Sequence, residues 1–174
     1  MKSYKNIFGW FPEENVSALE TIIKQYDIKT VTEIGSFLGK STVFFAEQGL
    51  KVNAIDPFVE WEEGNENLEA IQEGGKDFYD KFLDNIQGYE DKITVFRNTS
   101  EEASKIVGKA DMVFIDGAHD YNSVKNDILF WKDKARKIIC GDDYRDWEEV
   151  SKAVNEVFGE KVKVLNNRIW YVEL

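Results

Sequence analysis

The sequence predicts an α/β fold built on a mostly parallel sheet, and three observations lead there. Short apolar, β-branched runs alternate with segments whose apolar residues fall at helical spacing, the pattern of successive βαβ units. The run Met112-Val113-Phe114-Ile115 is wholly apolar between Asp111 and Asp116, as a central strand covered on both faces must be. Several runs also end in glycine or in a carboxylate, and the carboxyl ends of such strands are where ligands gather.

Composition bounds what the chain can be. Its 174 residues suit one domain with a sizeable core, and 43% hydrophobic with 14% aromatic residues describe a packed globule. A formal charge of −11 disfavours nucleic acid or an anionic membrane as partner, because both demand a basic face. That leaves a small molecule as the expected partner and a homo-oligomer open. Cys140 is the single cysteine, which excludes an internal disulfide framework, fits a reducing cytoplasm and suits a small buried hydrophobe. No secretory signal, membrane-spanning run or internal repeat is evident, so residues 1–174 are expected to form one cytoplasmic domain.

In chain order, residues 1–28 form an N-terminal helical segment, with Pro12, Glu13 and Glu14 suited to a helix start and Val16, Leu19, Ile22 and Ile23 on one face. Trp10 and Phe11 either cover a sheet edge or roof a pocket. Val31–Ile34 is a strand that runs into the glycine turn Gly35–Gly39. Val43, Phe44 and Ala46 then mark a helix, with Ser41 or Thr42 as candidate caps. Lys51–Ile55 is the second strand and ends in Asp56. Residues 57–75 hold six glutamates and Trp61, which suits either a solvated acidic face or a lid. Phe78, Phe82 and Ile86 define one helical face, and Ile93–Phe96 a third strand. Thr99 and Glu102 sit as a capping box before a helix reaching about Val107. The fourth strand leads to a helix from Tyr121 to Lys134, facing inward through Val124, Ile128 and Trp131. Arg136–Cys140 is the fifth strand and Glu148–Phe158 the last helix. Residues 161–174 form a hairpin, since Asn166 and Asn167 tolerate positive φ.

The glycine turn admits three readings. A dinucleotide fingerprint needs a second glycine that Gly35-Ser36-Phe37-Leu38-Gly39 lacks, and a P-loop needs one residue more before Gly39-Lys40-Ser41. The third is Glu33-x-Gly35-x-x-x-Gly39, which resembles motif I of the class I methyltransferases that use S-adenosylmethionine. Asp56 lies where a ribose-binding acid falls in nucleotide-binding units. Asp116 follows the fourth strand and Asp142 and Asp143 the fifth; if those strands are neighbours, three carboxylates share one small volume and repel unless protonated or bound to a cation such as Mg²⁺ or Ca²⁺. Alternatively, Asp116 caps a turn and the adjacent pair caps the last helix.

The motif Ile115-Asp116-Gly117-Ala118-His119-Asp120-Tyr121, followed by Asp127-Ile128, Trp131 and Gly141-Asp142-Asp143-Tyr144, resembles the methyltransferase-24 type. That branch is similar to macrocin-type sugar O-methyltransferases and cephalosporin hydroxylase-like proteins. The resemblance covers residues 7 to 145 and implies a Rossmann-like sheet of seven mostly parallel strands, with helices on both faces and the C-terminal strand inserted antiparallel. It implies that Glu33, Gly35 and Ser41, with Ser36 and Gly39 of the same turn, line the methionine end of the cofactor. Asp56 would hold the ribose, Ser100 would lie near the adenine, and Asp116 would border the same site. It also implies a divalent cation on Asp116, Asp142 and Asp143. The expected activity is methylation of a small hydroxylated acceptor such as a sugar, with Asp116 or His119 taking the proton. Two rivals are a non-catalytic cofactor-binding domain of the same fold and a P-loop-like phosphotransferase.

Overall fold

The computed structural model of the chain describes residues 1–59 and 77–174. Most of the segment expected as a lid therefore lies outside the described residues. Seven strands form one sheet: β1 (Thr30–Ile34), β2 (Lys51–Ile55), β3 (Ile93–Phe96), β4 (Ala110–Ile115), β5 (Ala135–Gly141), β6 (Lys163–Leu165) and β7 (Ile169–Glu173), in the order β3-β2-β1-β4-β5-β7-β6. The first five are parallel, and β7 runs antiparallel to both β5 and β6. The last strand is thus inserted inside the edge, as the resemblance implied. None of the described helices is long and apolar enough to cross a membrane.

Side chains alternate strictly between the two faces of the sheet. Val31, Met112, Phe114, Ile138, Cys140 and Tyr171 pack on one side, and Val113, Ile115, Ile139, Trp170 and Val172 on the other. Helices α1 (Glu13–Gln25), α2 (Lys40–Glu47) and α3 (Phe78–Asn85) cover the first face. Helices α4 (Ser100–Ile106), α5 (Tyr121–Trp131) and α6 (Glu148–Phe158) cover the second. Thr99 and Glu102 close the expected capping box at α4. Cys140 is fully buried with its thiol on the Val113 carbonyl, so it packs as a small apolar residue.

One expectation is corrected. Neither Ser41 nor Thr42 caps α2, because Gly39 is the N-cap at φ 86° and both hydroxyl residues lie inside the helix. Glu33 explains the difference: buried beneath α2, it draws the Ser36 hydroxyl at 2.8 Å and that of Thr42 onto its Oε2. Trp10 and Phe11 divide their roles. Phe11 is buried against Phe44, while half-exposed Trp10 stacks on Phe37 with ring centroids 5.5 Å apart.

Register places the site. Ile34 pairs with Ile55 on one side and Ile115 on the other, and Ile115 pairs with Gly141. The residues that follow these four, Gly35, Asp56, Asp116 and Asp142, therefore stand along one edge. An antiparallel strand begins where its parallel neighbours end, so the residue before β7, Arg168, arrives at that same edge. The turn that delivers it uses Asn166 at φ 50° and Asn167 at φ 64°, closed by the Arg168 amide on the Leu165 carbonyl at 3.1 Å. Asn167→Val forces a β-branched residue into the left-handed region, and its unfolding free energy in urea should fall by about 1–2 kcal/mol.

Candidate active site

The strand order reverses between β1 and β4, and a crevice opens outside the carboxyl ends at such a switch point. A cleft of about 340 Å³ lies there. Gly35, Asp56, Ser100 and Asp116 of the predicted residues line it, joined by Phe37 and Asp127. Gly35 makes the crevice possible, because at φ 89° a Cβ on it would lie 2.1 Å from the Asp116 carbonyl oxygen.

Asp56 holds the cleft's two flanking loops. Its Oδ2 accepts the Phe37 amide at 2.8 Å and its Oδ1 the Phe58 amide at 2.6 Å. Both phenylalanines sit at positive φ, 45° and 52°, a conformation that strains an L side chain. Two charge-assisted bonds from one carboxylate offset that strain, and each oxygen retains a lone pair toward the cleft. Burial pushes the Asp56 carboxyl up, against the pull of these amides.

Glu33, Ser36, Gly39 and Ser41 do not line the cleft. Glu33 is fully buried in β1, and its Oε1 has no hydrogen-bond partner among the described residues. Burial pushes its carboxyl up to about 7, against hydrogen bonds from Ser41, Thr42 and Ser36. Ser100 opens α4, and its hydroxyl accepts the Trp131 indole N–H at 2.9 Å and bonds the carboxylate of Asp127. Asp127 is a site residue that the motif reading left unassigned. It is buried on the inward face of α5, three residues after Val124 and four before Trp131, and burial raises its carboxyl to about 6. An acid on an otherwise apolar helical face was the signal for it.

The acid cluster lies beside the cleft. Asp142 is 3% exposed and saturated with donors. Its Oδ1 accepts the Asp143 amide at 2.7 Å and Arg168 Nε at 3.3 Å, while its Oδ2 accepts Arg168 Nη2 at 3.2 Å and the Asn15 side-chain amide. Asp143, at φ 63°, accepts Arg168 Nη2 at 2.7 Å on Oδ1, and its Oδ2 lies 2.9 Å from His119 Nε2. The His119 ring lies parallel to that of half-exposed Trp147, with centroids 5.1 Å apart. Burial first, then the charges of Asp142 and Asp143, push the Asp116 carboxyl well above the usual range. Arg168 and Asn15 were absent from the sequence expectation, since only the fold shows that α1 and the terminal hairpin reach this edge.

The family model for the methyltransferase-24 type, described as a methyltransferase domain, matches residues 32–144. This chain belongs to that family. The methyltransferase-24 domain also resembles solved structures, O-methyltransferases among them. One is a Bacillus cereus O-methyltransferase in complex with S-adenosylhomocysteine, at 16% identity and TM-score 0.64, covering 94% of this chain and 84% of that one. Another is a candidate caffeoyl-CoA O-methyltransferase from Staphylococcus aureus, at 14% identity and TM-score 0.67, covering 97% and 86%. A third is precorrin 8w decarboxylase of Methanobacterium thermoautotrophicum, at 15% identity and TM-score 0.65, covering 100% and 96%. No curated protein matches the chain at a significant level.

An adenosine-bearing sulfonium cofactor fits the methyltransferase-24 domain. The cleft combines apolar walls with the carboxylates of Asp56 and Asp127, and Asp56 keeps a lone pair on each oxygen toward it. A divalent cation on Asp116, Asp142 and Asp143 does not fit the arrangement. Asp142 has no lone pair left, and a guanidinium already occupies the space between it and Asp143. Asp116, His119 and Asp143 bring one ligand atom each within 4.8 Å of one another, but the Arg168 guanidinium already stands 2.7 Å from Asp143 Oδ1 beside them.

Glu33 gives the domain a pH dependence. The fold raises this carboxyl from 4.5 to about 7, so its contribution is whole below pH 4.5 and is lost as pH rises through 7. The loss is on the order of 3 kcal/mol. Glu33→Gln should flatten it: urea midpoints at acid and alkaline pH should differ less in the variant than in the parent.

Proposed function

We propose that the protein is an S-adenosylmethionine-dependent O-methyltransferase acting on a small hydroxylated acceptor such as a sugar. The observation that carries this reading is the register that stands Gly35, Asp56, Asp116 and Asp142 abreast, with the cleft on one side and the His119–Asp143 pair on the other. Family membership supports methyl transfer, and the three structural neighbours support the fold.

In this reading Asp56 accepts the ribose hydroxyls on its two remaining lone pairs. Ser100 and Asp127 border the adenine, and Glu33 fixes the glycine turn beneath the methionine end by gathering the Ser36 and Thr42 hydroxyls. When bound, the cofactor supplies a sulfonium methyl group: the acceptor oxygen bonds to that carbon as the carbon–sulfur bond breaks with its electron pair to sulfur. The chain's share is alignment and proton removal. Alignment of oxygen, carbon and sulfur supplies much of the acceleration in such a displacement. With His119 Nε2 2.9 Å from Asp143 Oδ2, a proton on Nε2 would leave Nδ1 to take the hydroxyl proton, and Asp143 would steady the imidazolium that forms. Asp116 borders both the cleft and the small hollow beside His119, so it is placed to orient the acceptor. The paired rings of His119 and Trp147 offer a flat apolar wall, of the kind sugars stack on.

Calorimetric titration with S-adenosylhomocysteine should show saturable binding that ATP does not compete away, which separates this reading from a phosphotransferase. Asp56→Ala should weaken it by about tenfold or more; unchanged heats would refute the ribose role. His119→Ala should bind S-adenosylhomocysteine as the parent does and lose about 10²–10⁴-fold in kcat on hydroxylated acceptors. Cofactor binding without turnover on any hydroxylated acceptor would favour the non-catalytic binding domain instead.

A further inference from the structure

We infer that the guanidinium of Arg168 is the resident cation of this acid rim, and that methyl transfer here needs no divalent metal. The inference rests on the methyl-transfer reading above, but it concerns the charge of the rim and not the cofactor.

Three carboxylates converge on one side chain. Arg168 bonds Asp142 through Nε at 3.3 Å and Nη2 at 3.2 Å, Asp143 through Nη2 at 2.7 Å, and Asp146 through Nη1. The two bonds to Asp142 use the planar fork side-on, a geometry that an ammonium or a point-like dication cannot reproduce. Only 1% of the Asp142 side chain and 26% of the Arg168 side chain is exposed, so the pair is shielded from solvent. A dication bound by Asp142 would need lone pairs that are already taken, and one bound by Asp143 would stand against the guanidinium 2.7 Å from its Oδ1 in a weakly screened space. The Arg168 side chain is held by its contacts with three carboxylates, and its backbone is set by the Tyr144 amide on its carbonyl at 3.1 Å and by the Asn166-Asn167 turn.

Arg168 is thereby a positioning residue as well. It holds Asp143 Oδ1 while Oδ2 holds His119, so the base is oriented through a chain of contacts that begins on the terminal hairpin.

The test titrates Mn²⁺ against the full chain, reading free Mn²⁺ by electron paramagnetic resonance, with S-adenosylhomocysteine calorimetry in parallel. The parent should leave millimolar Mn²⁺ free, and a chelator should leave turnover unchanged. Arg168→Gln uncovers the carboxylates and should gain saturable Mn²⁺ binding, whereas Arg168→Lys, which keeps the charge, should not. If Arg168→Gln does not fold, the parent and Arg168→Lys arms still decide. Saturable Mn²⁺ binding by the parent that Asp116→Asn abolishes, or turnover stopped by a chelator, overturns the inference. Failure of the parent to bind S-adenosylhomocysteine would instead defeat the methyl-transfer reading and leave the metal result standing.

Discussion

Parallel strands all end on the same side, and whatever their last residues carry accumulates along one rim. In this protein they carry carboxylates: Asp56 after β2, Asp116 after β4, and Asp142 with Asp143 after β5. Like charges a few ångströms apart in a poorly solvated space are destabilising unless each is answered. The rim answers them in three different ways. Asp56 is met by two backbone amides, Asp142 by a guanidinium, a backbone amide and Asn15, and Asp116 by the proton its surroundings favour. Each acid is thus held by a different kind of partner, and in the proposed reaction that division would let a single edge bind a hydroxylated nucleoside, orient an acceptor and hold a base.

The same acids shape the backbone. Phe37 and Phe58 occupy the left-handed region, which the chain would avoid if Asp56 did not take both their amides. The carboxylate that would hold the ribose also sets the two loops around it, so the cleft's walls and its polar anchor are one construction. Glu33 repeats the principle at β1, gathering hydroxyls from the glycine turn and from α2. Placing an ionisable group at 0% exposure makes the turn depend on its protonation state.

Much of the architecture was legible in the sequence because it depends on local rules. Val31–Ile34, Lys51–Ile55, Ile93–Phe96 and Glu148–Phe158 emerge within a residue of their expected bounds, since apolar periodicity and flanking turns suffice to define them. The Asn166-Asn167 turn and the Thr99–Glu102 box were legible for the same reason. The α2 caps were misjudged because a nearby hydroxyl usually caps, and only the burial of Glu33 redirects Ser41 and Thr42 inward. Convergence of the acids was legible from the strand ends, but their partners were not. Asn15 lies 127 residues from Asp142 in the chain, and Arg168 lies 26 residues from it, so no spacing rule links either to the acid.

Arg168 reaches the rim for a topological reason. A seventh parallel strand beside β5 would have ended at this edge and added to its collection of chain ends, with its own start on the far side of the sheet. An antiparallel β7 starts here instead, with Trp170 opposite Gly141, so the turn that precedes it can aim a cation at the residues just after β5. A two-residue loop with both central residues in the left-handed region leaves little freedom in where that side chain begins. The reversed last strand and the clustered aspartates are therefore parts of one electrostatic solution: reversal of β7 puts a positive charge beside the negative ones that follow β5.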